Sequence, residues 1–220
     1  MDYFRIGFIL VYSAVLIAYF FSETSGNFRR RAVNKIVMAS MFLVCGTIWF
    51  LMNGYSGWRV VALFGLFFAW LGDVLLLWSF SKGGVSFMIG NVFFILYETL
   101  LLKEAGVAFA KLWWCVLLFL ILSIMVAVLA TRKWIDFGKL ELPLILYMAT
   151  TTGHGTLGLG LAASVPGIHP LLLGIGLALF MVSDYFLMAH KFKYHRDAVL
   201  RCNSGTYFLG MLLVALSFSF

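Results

Sequence analysis

Charge is scarce in this chain. Charged residues make up 11% of its 220 residues, and Asp and Glu together number only 9. A soluble domain of this length needs far more polar surface, so a soluble globular fold is excluded. No stretch between the apolar runs is long enough to fold as an extramembrane domain. The three cysteines, Cys45, Cys115 and Cys202, form no C-x-x-C pair, and two of them sit inside apolar runs, which argues against a disulfide or zinc framework. There is no His/Cys cluster with zinc spacing, no G-x-S-x-G, and the glycine-rich stretch around residues 153–160 lacks the phosphate-loop pattern. Neither a metal nor a cofactor is therefore expected. The first apolar run lacks a clear small-residue cleavage site and reads as a retained helix rather than a removed signal peptide.

What is present is apolar. Hydrophobic residues make up 63% of the chain and mean hydropathy is +1.02, which predicts an all-α polytopic membrane protein forming a single integral domain over 1–220. A span needs about 20 apolar residues. Eight candidates appear, near 4–21, 34–52, 59–78, 85–102, 112–130, 140–162, 168–189 and 201–219. The net charge of +7 sits in the short connections, where it sets topology rather than pointing to nucleic acid. With eight spans, one side carries four basic residues: Arg5, Arg59, Lys103 and Lys111. The other carries twelve: Arg29, Arg30, Arg31, Lys35, Lys82, Arg132, Lys133, Lys139, Lys191, Lys193, Arg196 and Arg201. The positive-inside rule places the richer side in the cytoplasm and both termini outside, as in a multi-pass protein of the cell (inner) membrane.

Two acids break the apolar pattern in matched ways. Asp73 lies in GLFFAWLGDVLLLW, residues 65–78, and Asp184 in GLALFMVSDYFLMA, residues 176–189. Each follows a small residue and stands about five residues before the end of its run. At 1.5 Å per residue both fall roughly 7–8 Å inside the cytoplasmic boundary. The echo suggests two parallel four-helix halves, 1–110 and 111–220. Intramembrane acids are costly and mark functional sites by default. Asn91, Tyr147, Ser183 and the start of the eighth helix (Asn203, Ser204, Thr206, Tyr207) fall in the same layer, with Lys35 and Arg201 at its mouth. A second polar group lies higher: Tyr147, Thr151, His154 and Gly158 share one helical face, and Glu98 comes out level with His154, so a Glu98–His154 pair is expected. The plain alternatives are interhelical hydrogen bonds for the aspartates, a helix-interface histidine, and a Glu98 that snorkels toward Lys103.

At the two Asp stretches the sequence resembles the YhhN family of eight-span membrane proteins, which includes the lysoplasmalogenases. The resemblance is carried by Lys35 at the start of the second helix, Gly72-Asp73 before leucines, Pro143 and Tyr147 four apart, and Gly176, Phe180, Ser183-Asp184 and Lys191-Phe192. Ile36, Glu98 and Met211 depart from the family pattern, where a proline, a histidine and often a glutamine are expected. The resemblance implies hydrolysis of the vinyl ether bond of lysoplasmalogens to a fatty aldehyde and a glycerophospho-headgroup. Vinyl ether cleavage needs a proton donor and a negative charge beside the oxocarbenium ion that forms, and two neighbouring carboxylic acids can supply both. On this reading Asp73 and Asp184 are catalytic, and the sequence does not tell the acid from the carboxylate. Tyr147, Asn91 and Ser183 orient water or substrate, and Lys35 with Arg201 holds the lipid phosphate. The partners are then a lysophospholipid substrate and membrane lipids, while the sequence leaves the oligomeric state open. The main rival is a proton- or cation-coupled transporter of lipids or small molecules that uses the same acids. A third reading is an assembly protein in which the acids only join helices.

Overall fold

The computed structural model describes residues 2–55 and 57–220. Among these the chain is all-α, with eight long helices: α1 (Asp2–Glu23), α2 (Phe28–Met52), α3 (Val61–Leu76), α4 (Phe80–Glu104), α5 (Trp113–Thr131), α6 (Glu141–Ser164), α7 (Ile168–Ala189) and α8 (Asp197–Ser217). The helices outlast their apolar runs where a cap allows it. Asn27 accepts the Arg30 backbone N–H at 3.0 Å, so α2 begins six residues before the expected start and takes the Arg29–Arg31 run into its first turn. Ser79 does the same for Lys82 at α4. Such caps satisfy amides that the first turn leaves without partners.

Seven of the eight helices are long and apolar enough to cross a membrane. The exception is α6. Thr150, Thr151, Thr152 and His154 in its middle lower its hydropathy. The last three are fully buried, so their polar groups face other helices rather than lipid.

Helix contacts define a closed ring. α2 packs on α3, α3 on α4, α4 on α6, α6 on α7, α7 on α8, and α8 returns to α2. α1 lies outside this ring against α2 and α8, and α5 lies outside it against α6. The exposed apolar residues of α5, such as Val116, Leu120 and Ile124, fit a lipid-facing position. In the ring α3 stands opposite α7. Ala62, Leu66, Ala69 and Asp73 form one buried face of α3; Leu173, Leu177, Phe180 and Asp184 form the corresponding face of α7. Both faces have helical spacing.

Glycine sets the closest approaches, as expected where small residues let membrane helices touch backbone to backbone. A Cβ on Gly210 would lie 2.6 Å from the Gly176 carbonyl, and one on Gly174 would overlap the Gly158 carbonyl outright. On the other side of the ring, a Cβ on Gly90 would meet the Gly65 carbonyl at 3.3 Å. By contrast a Cβ on Gly84 would meet no heavy atom within 4 Å. Gly174→Leu is therefore expected to force α6 from α7, and to cost more than the about 1–3 kcal/mol usual for overpacking. Gly84→Ala is expected to keep stability or raise it by up to about 1 kcal/mol, since Ala suits a helix better than Gly. Thermal unfolding of the two variants in detergent checks this, and equal melting temperatures would contradict it.

Candidate functional site

Each Asp receives its partners from other helices. Asp73 on α3 is buried. Its Oδ1 lies 3.2 Å from the Lys35 ammonium on α2, whose side chain retains 14% exposure. Its Oδ2 accepts the Tyr207 hydroxyl of α8 at 2.6 Å. Asp184 on α7 has a different shell. Tyr147 Oη and Thr151 Oγ1, both on α6, donate to its Oδ2 at 2.6 and 2.9 Å. Asn91 on α4 then donates from Nδ2 to Thr151 Oγ1 at 2.8 Å. Asn91 Oδ1 is buried and makes no hydrogen bond among the described residues.

Asp73 and Asp184 lie on opposite helices of the ring, and Tyr207, which donates to Asp73, links their surroundings. Its ring packs edge-on against Phe180 of α7 at 5.1 Å and against Phe87 of α4 at 5.9 Å. Aromatic edge contacts of this kind hold a ring in one orientation, so the hydroxyl on Asp73 is aimed by its apolar neighbours.

The chemical difference between the acids follows from these shells. Both oxygens of Asp73 are occupied by donors, one of them cationic, as suits a carboxylate. At Asp184 both donors fall on Oδ2. Among the described residues none of its partners carries charge, and Oδ1 takes no hydrogen bond.

An apolar cavity of about 340 Å³ opens beside these residues between the start of α4 and the start of α6. Its walls include Gly84, Val85, Phe87, Leu142 and Leu146, and Tyr147 stands in its lining. The same residue therefore touches Asp184 and the cavity. At the near end, Phe80 packs on Phe192, which packs on Phe137, and Lys191 lies over the Phe80 ring.

Several of the expected residues make other contacts. The Ser183 hydroxyl turns back to the Phe180 carbonyl of its own helix, and the Ser183 carbonyl accepts Asn203 Nδ2 at 2.9 Å. Arg201 is exposed and donates to Thr24 Oγ1 at 3.0 Å. Glu98 and His154 are both fully buried but make no hydrogen bond to each other or to any described residue. The Glu98 carboxyl occupies the notch left by Gly158, where a Cβ would come within 2.8 Å of Oε1. The His154 ring packs on Phe180 at 5.0 Å and faces Phe94 at 6.3 Å. The expected pair does not form: the Glu98 carboxyl turns to Gly158 and the His154 ring to the two phenylalanines.

One buried acid is not among the residues expected from sequence. Glu23, at the end of α1, is 5% exposed. Tyr19 donates to its Oε1 at 2.9 Å, and Ser204 of α8 donates to the same atom. A signal for it exists in the chain: Tyr12, Tyr19 and Glu23 repeat at helical spacing, and the first two are buried with it.

The ring of helices around two matched, buried carboxyls defines a polytopic membrane protein with a polar site near one end of its bundle. The chain belongs to the YhhN family, whose profile matches residues 31–218. No curated protein and no solved structure matched the chain.

The Lys35–Asp73 contact is testable as a pair. Removing one partner of a buried ion pair strands the other charge. Asp73→Asn and Lys35→Met are each expected to destabilise the protein. The double variant is expected to be less damaged than the sum, with a coupling of about 1–3 kcal/mol. Additive losses in a double-mutant unfolding cycle would show that the contact carries no energy.

Proposed function

We propose that this protein is a lysoplasmalogenase-type hydrolase that cleaves the vinyl ether bond of a lysoplasmalogen, with Asp184 as proton donor and Asp73 as the fixed negative charge. The observation that carries the reading is the unequal filling of the two carboxyls. Asp73 has a donor on each oxygen, one from Lys35. Asp184 takes both of its hydrogen bonds on Oδ2, which leaves Oδ1 as the position for a proton. Membership of a family associated with lysoplasmalogenase activity supports the same reading.

In the reaction Asp184 Oδ1 delivers its proton to the β-carbon of the vinyl ether, and the ether carbon becomes an oxocarbenium ion. Tyr147 and Thr151 hold the carboxylate left behind, and the charge of Asp73 stabilises the cation electrostatically. Water then adds to the cationic carbon. Asn91 Oδ1, a buried acceptor with no other partner among the described residues, orients that water, and Asp184 takes back its proton. The resulting hemiacetal collapses: its hydroxyl proton leaves, the carbon–oxygen bond to glycerol breaks, and the glycerol oxygen is protonated. One water is consumed, and a fatty aldehyde and a glycerophospho-headgroup are released.

The apolar cavity between α4 and α6 takes the hydrocarbon chain, with Tyr147 where chain meets polar layer. Lys35, which keeps some exposure beyond its contact with Asp73, and Arg201 at the same end of the bundle provide positive charge for the phosphate. The basic residues at that end support a cytoplasmic placement in a cell-membrane protein by the positive-inside rule, with both termini outside.

We read the ring as two four-helix halves. α2, α3 and α4 stand opposite α6, α7 and α8, while α1 and α5 both lie outside. The Asp of each half is approached from the helix before it, by Lys35 in one half and Tyr147 in the other. A transporter reading needs a polar path from this layer to Glu98 and His154. The Phe94 and Phe180 rings against His154 argue against such a path.

Purified protein in detergent is expected to release fatty aldehyde from a lysoplasmalogen and none from the matching saturated ether. In D₂O the aldehyde should carry one deuterium on the carbon next to the carbonyl, read by mass spectrometry. Asp184→Asn should lower the rate by about 10²–10⁴-fold, the usual size of general acid catalysis. A folded Asp184→Asn protein that turns over at the parent rate would sink the assignment. Gly84→Leu, which has open space at its Cβ and projects a side chain into the cavity wall, should raise KM for long-chain substrates and spare short-chain ones. An equal rise for both would remove the cavity from the reading.

A further inference from the structure

A third carboxylate shares the polar end of the bundle and takes no part in the proposed reaction. Glu23 lies outside the stretch that matches the family. Both of its hydrogen bonds fall on Oε1, from Tyr19 and Ser204. Oε2 is buried and has no partner among the described residues. A buried carboxylate oxygen without a donor is expensive, because its lost hydration is not replaced. Two cations stand close by, Arg201 beside Thr24 and Lys35 next to the Asn34 that donates to Ser22, yet neither makes the contact. Lys35 is held by Asp73 at 3.2 Å, and Arg201 donates to Thr24.

Taken with the proposed substrate, on which this inference rests, the arrangement has a definite chemistry. A lysophospholipid phosphate brought to Lys35 and Arg201 comes beside the negative charge of Glu23. A headgroup that ends in phosphate alone is repelled there. A headgroup that carries a primary ammonium beyond the phosphate supplies the missing donor to Oε2 and cancels the repulsion. We infer that Glu23 is a specificity-determining residue that selects lysolipids with a primary-ammonium headgroup, through a charge-assisted hydrogen bond to Oε2. Attraction for one headgroup and repulsion of another act together, which is how discrimination is usually built. A quaternary ammonium has no N–H to donate and gains only the electrostatic part.

The test measures binding, so that it does not depend on turnover. Saturated ether lysolipids, which lack the vinyl ether, are prepared with three headgroups: phosphoethanolamine, its N-acetyl derivative, and phosphate alone. Full-length protein in detergent is titrated with each. The phosphoethanolamine lipid is expected to bind about ten- to hundredfold tighter than the other two, the size of one charge-assisted hydrogen bond. Glu23→Gln should erase that preference by weakening the ammonium lipid alone. If Glu23→Gln does not purify as folded protein, the N-acetyl comparison on the parent protein carries the test, together with Glu23→Asp. That variant keeps the charge but shortens its reach, and should retain only part of the preference. Equal binding of all three lipids by the parent protein overturns the inference, as does a preference that survives Glu23→Gln intact. Aldehyde release from the matching vinyl ethers is read separately. A headgroup preference without aldehyde would refute the hydrolase reading and leave Glu23 its role.

Discussion

A carboxylate inside a membrane bundle must bring its own solvation. Water is absent from the hydrocarbon, and each polar group not matched by protein costs several kcal/mol. Asp73 meets this demand with Lys35 and Tyr207, which come from α2 and α8 and draw both helices toward α3. Asp184 meets it with Tyr147 and Thr151 from α6, and Asn91 extends the chain of hydrogen bonds to α4. All six helices of the ring thus meet around two side chains. The carboxyls are placed by packing, and the packing is specified in turn by what the carboxyls require.

Two devices make so close a ring feasible. Glycines at the α6–α7 and α7–α8 crossings let backbones approach to contact, and the gain there is dispersion rather than exclusion of water, since lipid is as apolar as the side chains. Aromatic rings fill what remains. Tyr207, Phe180 and Phe87 pack edge to edge beside the acids, and His154 is seated on the same Phe180. Phe180 therefore packs both on the tyrosine that serves Asp73 and on His154.

Much of this could be read from sequence because it follows from one-dimensional patterns. Apolar runs located eight helices, and the polar run of α6 explains why that helix needs neighbours rather than lipid. Asp73 and Asp184 stood out because a charge within an apolar run has few ordinary explanations. Helix starts were legible only in part, since caps such as Asn27 and Ser79 prolong a helix past its apolar residues. Pairings were harder. Depth placed Glu98 level with His154, but depth does not fix the angle at which a side chain leaves its helix. Ser183 sits beside Asp184 in sequence, yet on a helix adjacent residues point about 100° apart, and its hydroxyl returns to its own backbone. Glu23 was missed for the opposite reason. At the end of an apolar run an acid looks like a solvated terminus, and only contact with Ser204 of α8, far away in sequence, makes it a buried one.

In the proposed reaction the important property is a loss of symmetry. Two similar half-bundles would present two similar acids, and two equal carboxyls have no defined division of labour. Here the helix before each Asp helix offers different chemistry: a lysine reaches Asp73, whereas a tyrosine and a threonine reach Asp184. A cation neutralises one carboxylate in place. Hydroxyl groups donate to the other without fixing its charge, so it can give up a proton and take it back within one cycle. The apolar cavity opens on the hydroxyl side, through Tyr147, and Glu23 and Arg201 stand on the lysine side. An amphipathic lipid laid across the bundle would have its chain beside the proton donor and its headgroup beside the charges, with the ether bond between the two acids. In the proposed reaction the same difference between the two shells that separates the roles of the acids also sets the direction of the substrate.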